Sequence, residues 1–183
     1  MIQPSTDGLY HPTNENDIVE LVEYAIQNKL QVRVRGAAQS VVEGVYADGY
    51  NAASGTFGKN INIELDQMRA VTFGEDNNQV TVGGGCNLGT DPFDPSGVSQ
   101  LSEDNNLFFQ LNQKGLSIPN VSGAIHQTVA GFISTGSSGG TMQHSFEDCI
   151  LSIRIIDGTG KINTFNKSDN PGDAFYAVPV SMG

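Results

Sequence analysis

The sequence predicts an α+β fold. Three observations carry this reading: one helical apolar stripe near the N-terminus, a series of short alternating segments after it, and few helical patterns among those segments. Residues 1–10 read as a loose lead-in. Pro12-Thr13-Asn14 then offers a helix start, with Asn14 or Thr13 as N-cap and Glu15 and Asp17 favourably placed in the first turn. Ile18, Val19, Leu21, Val22, Ala25 and Ile26 form the apolar stripe, which ends near Lys29. Gln31 to Arg35 alternates and predicts a strand, followed by the tight turn Gly36-Ala37-Ala38-Gln39-Ser40 and a long Gly/Ala/Ser/Asn-rich loop.

Ile61, Ile63 and Leu65 mark a second strand, and Val80 with Val82 a third that ends at Gly83-Gly84-Gly85. Asp91 to Gly97 carries Asp-Pro twice and reads as a loop. Leu107 to Lys114 predicts a short helix closed by Gly115. Leu151 to Ile156 and Lys161 to Phe165 pair as a hairpin around Asp157-Gly158-Thr159-Gly160. A helical turn through Phe175 and Tyr176 follows Asn170-Pro171-Gly172-Asp173. A subdomain seam is expected near residues 66–70.

Composition narrows the function classes. Hydrophobic residues make up 38% and charged residues 16% of the chain, which fits a packed globular protein rather than a disordered one. The net charge of −11 disfavours nucleic acid and anionic membrane as partners, since both require basic patches. No leader peptide or membrane-spanning run is recognisable, and the compartment stays open. Cys86 and Cys149 read as two free, partly buried thiols. His11, His126 and His144 show no metal spacing, so no metal site is expected.

The distribution of charge is more informative than its total. Gly115 to Phe146 is 32 residues without an Asp, Glu, Lys or Arg. Such a segment gathers backbone N–H groups and small hydroxyls and keeps carboxylates away, which suits a bound phosphate or pyrophosphate. The common nucleotide fingerprints are absent. Gly83 to Gly89 does not place its glycines at Rossmann offsets, and Thr135 to Thr141 lacks the lysine of a Walker A loop. No Gly-x-Ser-x-Gly elbow is present. Two small-residue loops remain: Arg35 to Ser40, directly after a strand, and the uncharged segment with Gly123, Thr128, Gly131 and Thr135 to Gly139. Either alone is an ordinary glycine-rich turn; their order and spacing carry the signal.

In that order they resemble the FAD-binding domain of the vanillyl-alcohol-oxidase/p-cresol-methylhydroxylase (PCMH-type) superfamily, nearest the sugar-lactone and alditol oxidoreductases. Arg35-Gly36-Ala37-Ala38-Gln39-Ser40 is similar to that family's Arg-Gly-Gly-Gly-His-Ser-like loop, and Gln127 to Gly139 to its Gln-Thr-Val-Gly-Gly-x-Ile-Ser-Thr-Gly-Thr-His-Gly-like run. Val80 to Gly85, the hairpin at Ile155 to Gly160, and Val178 to Gly183 resemble further family segments.

The resemblance implies two small α+β subdomains, 1–66 and 67–183, the second incomplete and the substrate (cap) domain absent. It implies FAD contacts at Arg35, Gly36, Ala37, Ala38, Gln39 and Ser40, at Gly123, Thr128 and Gly131, and at Thr135, Gly136, Ser137 and Ser138. It implies non-covalent FAD, because Gln39 stands where many relatives carry the histidine that bonds the flavin, and glutamine has no nucleophilic ring nitrogen. Ser138 replaces a second histidine. The implied activity is oxidation of a hydroxyl-bearing small molecule such as a sugar, alditol or aldonolactone, with the isolated fragment inactive and its catalytic residue outside these 183 positions. The alternative is an inactive FAD-binding remnant or binding module.

Overall fold

The computed structural model describes residues 1–76, 78–92, 105–169 and 172–181. The first helix, α1 (Glu15–Asn28), begins at Asn14, whose side chain accepts from the Asp17 amide, and ends at Lys29 in a left-handed conformation. Its stripe buries Leu21, Val22 and Ala25. Strand β1 (Val32–Arg35) follows and pairs in parallel with β2 (Ile61–Glu64), in the register Val32↔Ile61 through Arg35↔Glu64. Parallel pairing requires a crossover, and the 36–60 connection supplies it.

That connection is more ordered than its composition predicts. It holds a short helix, α2 (Val42–Val45), and a 3₁₀ turn at Ala52–Ser54. Tyr46 and Tyr50 stack with ring centroids 4.3 Å apart, and Phe57 lies 5.7 Å from Tyr50. The Asn62 side chain accepts from the Ala47 amide at 2.7 Å and ties the loop to β2. The N-terminal residues also differ from expectation. Tyr10 forms a parallel bridge with Ile63, and Leu9 is buried. The bare edge of β2 accepts this extra backbone pairing, so residues 9–10 are anchored rather than loose.

Beyond β2 the chain forms two antiparallel pairs. Strand β3 (Val71–Phe73), which the alternation analysis omits, pairs with β4 (Val80–Val82). Three residues are too few to show a period. Strands β5 (Ser152–Ile156) and β6 (Ile162–Asn166) form the expected hairpin, its turn held by Asp157, whose carboxylate accepts from Thr159 and Asn163. Helix α3 (Leu107–Gln113) is capped by Asn106 and closed by Gly115 at φ +68°. Helix α4 (Val129–Ser134) lies inside the uncharged segment, which is therefore not all loop. A 3₁₀ turn (Phe146–Cys149) and α5 (Gly172–Ala177) complete the elements. The expected loop over 91–97 falls mainly outside the described residues, as do Asn170 and Pro171.

Two apolar clusters form the core. Leu21, Ala25, Ile61 and Ile63 pack between α1 and β2. Cys86, Leu88, Leu107, Leu111, Val129, Phe132, Phe146, Ile150 and Phe175 gather around α3 and α4. Both cysteines are free; Cys86 is buried as expected, whereas Cys149 is exposed. Burial pushes the Cys86 thiol up to about 11, which keeps it a protonated, inert core group. A bidentate ion pair from Arg154 on β5 to Glu15 on α1, at 2.6 and 2.8 Å, joins the two ends of the sequence.

Ile63 is fully buried at the centre of the first cluster. Ile63→Ala should cost about 2–5 kcal/mol, the range for deleting a buried branched side chain without full collapse of the cavity. Ile26→Ala, on the exposed face of α1, should stay within about 0.5 kcal/mol. Urea unfolding of both variants checks the contrast.

Candidate cofactor site

The first loop leaves β1 at its aligned end. Arg35 is the last paired residue, opposite Glu64, and both side chains are buried. An Arg35 Nη2 donates to Glu64 Oε1 at 2.5 Å, and Nη1 donates to the Tyr46 hydroxyl at 2.6 Å. Burial pushes the Glu64 carboxyl up from its ordinary value, and the Arg35 guanidinium pulls it back toward the charged form. A buried pair of this kind is costly to break, about 3–5 kcal/mol, because the survivor is left uncompensated. Arg35 therefore fixes the base of the loop, with its guanidinium committed beneath rather than presented outward.

Above that base the chain turns sharply. A Cβ on Gly36 would lie 2.0 Å from Thr128 Oγ1, so glycine is what lets the first loop touch the start of α4. Ala38 sits at φ +52°, a left-handed conformation that costs a residue with a Cβ about 1–2 kcal/mol. This is a physical reason for a glycine-rich pattern at the position. Gln39 and Ser40 are exposed, and the Gln39 amide donates to the Ala37 carbonyl at 3.0 Å.

The second loop is organised by α4. Thr128 is its N-cap, its hydroxyl oxygen accepting from the Gly131 amide at 3.2 Å, and it also bridges to Asn87 in an antiparallel pair. Gly84 and Cys86 carbonyls accept from the Ala130 and Val129 amides, which seats α4 against the end of β4. At the other end Thr135 and Ser137 face each other with hydroxyl oxygens 2.9 Å apart, Gly136 adopts φ +60°, and Ser138 is exposed. Gly123 is exposed, with open space where a Cβ would stand.

A narrow cleft forms where the loops meet. Gly36, Ala37 and Thr128 line it, together with Glu64, Leu65, Asp66, Arg69, Gly85, Asn87 and Asp91. Gly123, Gly131 and Thr135 to Ser138 lie outside that lining. The exposed hydroxyls and amides of the two loops are uncharged donors, as a pyrophosphate requires. The buried Asn87 Oδ1, which has no hydrogen-bond partner, is a waiting acceptor for a hydroxyl or water. Donors outside and an acceptor within fit a cofactor that carries both phosphate and polyol.

Motifs do not reveal the carboxylates of this cleft, because Glu64 and Asp66 come from the far end of β2 and Asp91 from the chain beyond β4 rather than from either loop. Parallel register is the signal that finds Glu64: it sits level with Arg35. Next to it, His11 Nδ1 lies 2.7 Å from Asp66 Oδ1, and Nε2 lies 3.4 Å from Asp7 Oδ2. Asp7, His11 and Glu64 bring potential ligand atoms within 4.8 Å of one another. Each is already engaged, Asp7 by the Leu9 amide, His11 by Asp66 and Glu64 by Arg35, which makes the group an ion-pair network.

Comparison with known proteins is consistent with this geometry. A family model described as an FAD binding domain matches residues 6–90 and 103–166. The D-arabinono-1,4-lactone oxidase of Kluyveromyces lactis is 25% identical over 180 residues, covering 95% of this chain and 29% of the relative. The mouse L-gulonolactone oxidase is 23% identical over 180 residues, covering 98% of this chain and 35% of the relative. The chain thus spans about a third of the length of these curated relatives. Among solved structures, 6-hydroxy-D-nicotine oxidase from Arthrobacter nicotinovorans superposes with a TM-score of 0.69 at 19% identity, over 94% of this chain and 32% of that one. The grass pollen allergen Phl p 4, with glucose dehydrogenase activity, gives 0.66 at 18% identity, over 94% and 31%. At these identities the structural likeness establishes the fold.

Gly36→Ala tests the closeness of the loop contact. Its Cβ must displace Thr128, and overpacking of this kind costs about 1–3 kcal/mol. Thermal unfolding should show a clear loss. Gly140→Ala, where a Cβ meets nothing within 4 Å, should leave the midpoint nearly unchanged.

Proposed function

Because the chain belongs to the FAD binding domain family, in its PCMH-type branch, we propose that it is the cofactor-binding part of a flavin-dependent oxidoreductase acting on a hydroxyl-bearing small molecule: a sugar, an alditol or an aldonolactone. The observation that carries the reading is the contact of Gly36 with Thr128, which joins two loops about ninety positions apart in one cleft. The lactone oxidases among the relatives support the substrate class.

FAD, when bound, supplies the acceptor for the hydride removed from the substrate carbon. The part of this chain is binding and orientation. Gly36 to Ser40 offer backbone N–H groups and the Ser40 hydroxyl to the pyrophosphate; in Thr135 to Ser138 the first three amides are bonded to α4 carbonyls, which leaves the Ser137 and Ser138 hydroxyls and the Ser138 N–H as the donors. Gly123, Thr128 and Gly131 line the path of the rest of the cofactor, and Arg35 acts from below by fixing the turn. The two apolar clusters support reading 1–66 and 67–183 as subdomains. Substrate binding and proton removal belong to a region of the relatives that these residues do not match. No described helix is long and apolar enough to cross a membrane.

Gln39 supports non-covalent attachment, since its amide cannot form the flavin–histidine bond and is turned onto its own loop. Titration of the purified chain with FAD, followed by flavin absorbance and fluorescence, should show saturable binding. Acid precipitation should then release all the flavin. Flavin carried down with the protein would overturn the non-covalent assignment, and absence of binding would overturn the cofactor assignment for this chain.

A further inference from the structure

The cleft between the loops presents an electrostatic problem for an anionic ligand. Glu64, Asp66 and Asp91 line it, in a chain that already carries a net charge of −11. Arg69 is the cation in the lining, and Arg35 stands behind Glu64. Asp66 is nearly buried and reaches His11 at 2.7 Å. A pyrophosphate arriving beside these carboxylates meets repulsion unless positive charge stands behind them.

We propose that His11 supplies that charge, so that binding of the anionic cofactor is proton-linked and tightens when His11 is an imidazolium. The inference rests on the FAD reading and adds to it a positioning residue that touches no cofactor atom. Every charged or titratable group facing His11 fits the role. The N-terminal segment contributes Asp7, at 3.4 Å from Nε2. The end of β2 contributes Glu64, paired in turn to Arg35 of β1, and the residues after β2 contribute Asp66. Tyr46 and Tyr50, from the connection between β1 and β2, bond to Arg35 and to the Asp7 carbonyl, and burial holds the Tyr50 hydroxyl above its ordinary value. With His11 charged, the group of Asp7, His11, Arg35, Glu64 and Asp66 holds two cations against three anions; with His11 neutral, one against three.

The direction follows from the same contacts. Burial pulls the His11 value down, but the bond to Asp66 and the charges of Asp66, Asp7 and Glu64 outweigh it and hold it above the ordinary histidine range. His11 therefore keeps its proton to higher pH than an ordinary histidine and loses it as pH rises through the raised value. The pyrophosphate keeps its charge throughout. Affinity for FAD should be full on the acid side and fall as His11 deprotonates. By linkage, bound FAD must raise the His11 value by the same factor.

Fluorescence titrations with FAD between about pH 5.5 and 8.5 test this, using the whole chain and the variants His11→Gln and Asp66→Asn. The wild type should bind roughly 3- to 10-fold more weakly at the alkaline end, the size of one partly screened charge interaction. His11→Gln should be flat and weak, and Asp66→Asn flatter and tighter at alkaline pH. Riboflavin, which has no phosphate, should show no such slope. Should the variants unfold, the His11 ring protons of the wild type still report: their titration midpoint should move up when FAD is added. A flat FAD profile with binding intact, an unmoved His11 midpoint, or a matching slope for riboflavin would overturn the linkage alone. Failure of FAD to bind at any pH would overturn the cofactor reading as well.

Discussion

The structure depends on the contact between Gly36 and Thr128. These residues sit on loops far apart in sequence, and a single methyl group at Gly36 would separate them. Thr128 is tied twice more, as the N-cap of α4 and as the bridge partner of Asn87. The parallel pair β1–β2 is therefore joined to the β4–α4 unit here as well as where Leu65 packs on Gly85, and the cleft lies between these contacts. Glycine is required here for approach rather than for turning, since Gly36 does not adopt a left-handed backbone.

Below the contact lies the Arg35–Glu64 pair, which explains why the loop departs from β1 where it does. Parallel register sets the two side chains level at the strand ends, and burial makes each require the other. Tyr46 completes the arrangement, donating no charge but accepting from the guanidinium and stacking on Tyr50. The long connection between β1 and β2 is thus held by Arg35 through Tyr46 and by Asn62 through the Ala47 amide. Its glycine- and asparagine-rich composition describes its local freedom and says nothing of these distant partners.

The same division separates what the sequence revealed from what it hid. Helix α1, strands β1, β2 and β4, the β5–β6 hairpin and α3 were legible because each carries its own period or its own turn chemistry. Strand β3 was missed because Val71 to Phe73 is shorter than two periods. Helix α4 was missed because Ala130, Gly131 and Ser134 dilute its apolar stripe, although Thr128 is a sound N-cap. Within the site, the two loops were legible as patterns of small residues. Glu64, Asp66, Asn87 and His11 were not, since their relevance arises from strand register and from the bridges Tyr10–Ile63 and Asn87–Thr128. The lead-in looked loose because the strand that anchors it lies fifty positions away.

Charge placement connects these observations. A chain with twenty acids and nine bases must still offer a place to an anion. The uncharged segment from Gly115 to Phe146 solves half of the problem by excluding carboxylates from one wall. The other wall descends from β2 and cannot be cleared in the same way, because Glu64 is needed to neutralise Arg35. Its acids are instead bonded to cations or to backbone: Glu64 to Arg35, Asp66 to His11, Asp7 to the Leu9 amide and near His11. Of the cations in that set, Arg35 is permanently charged, while His11 changes charge near neutrality. A wall neutralised in part by a histidine is neutral only conditionally, and an anion resting on it responds to that condition through space, without any movement of the loops.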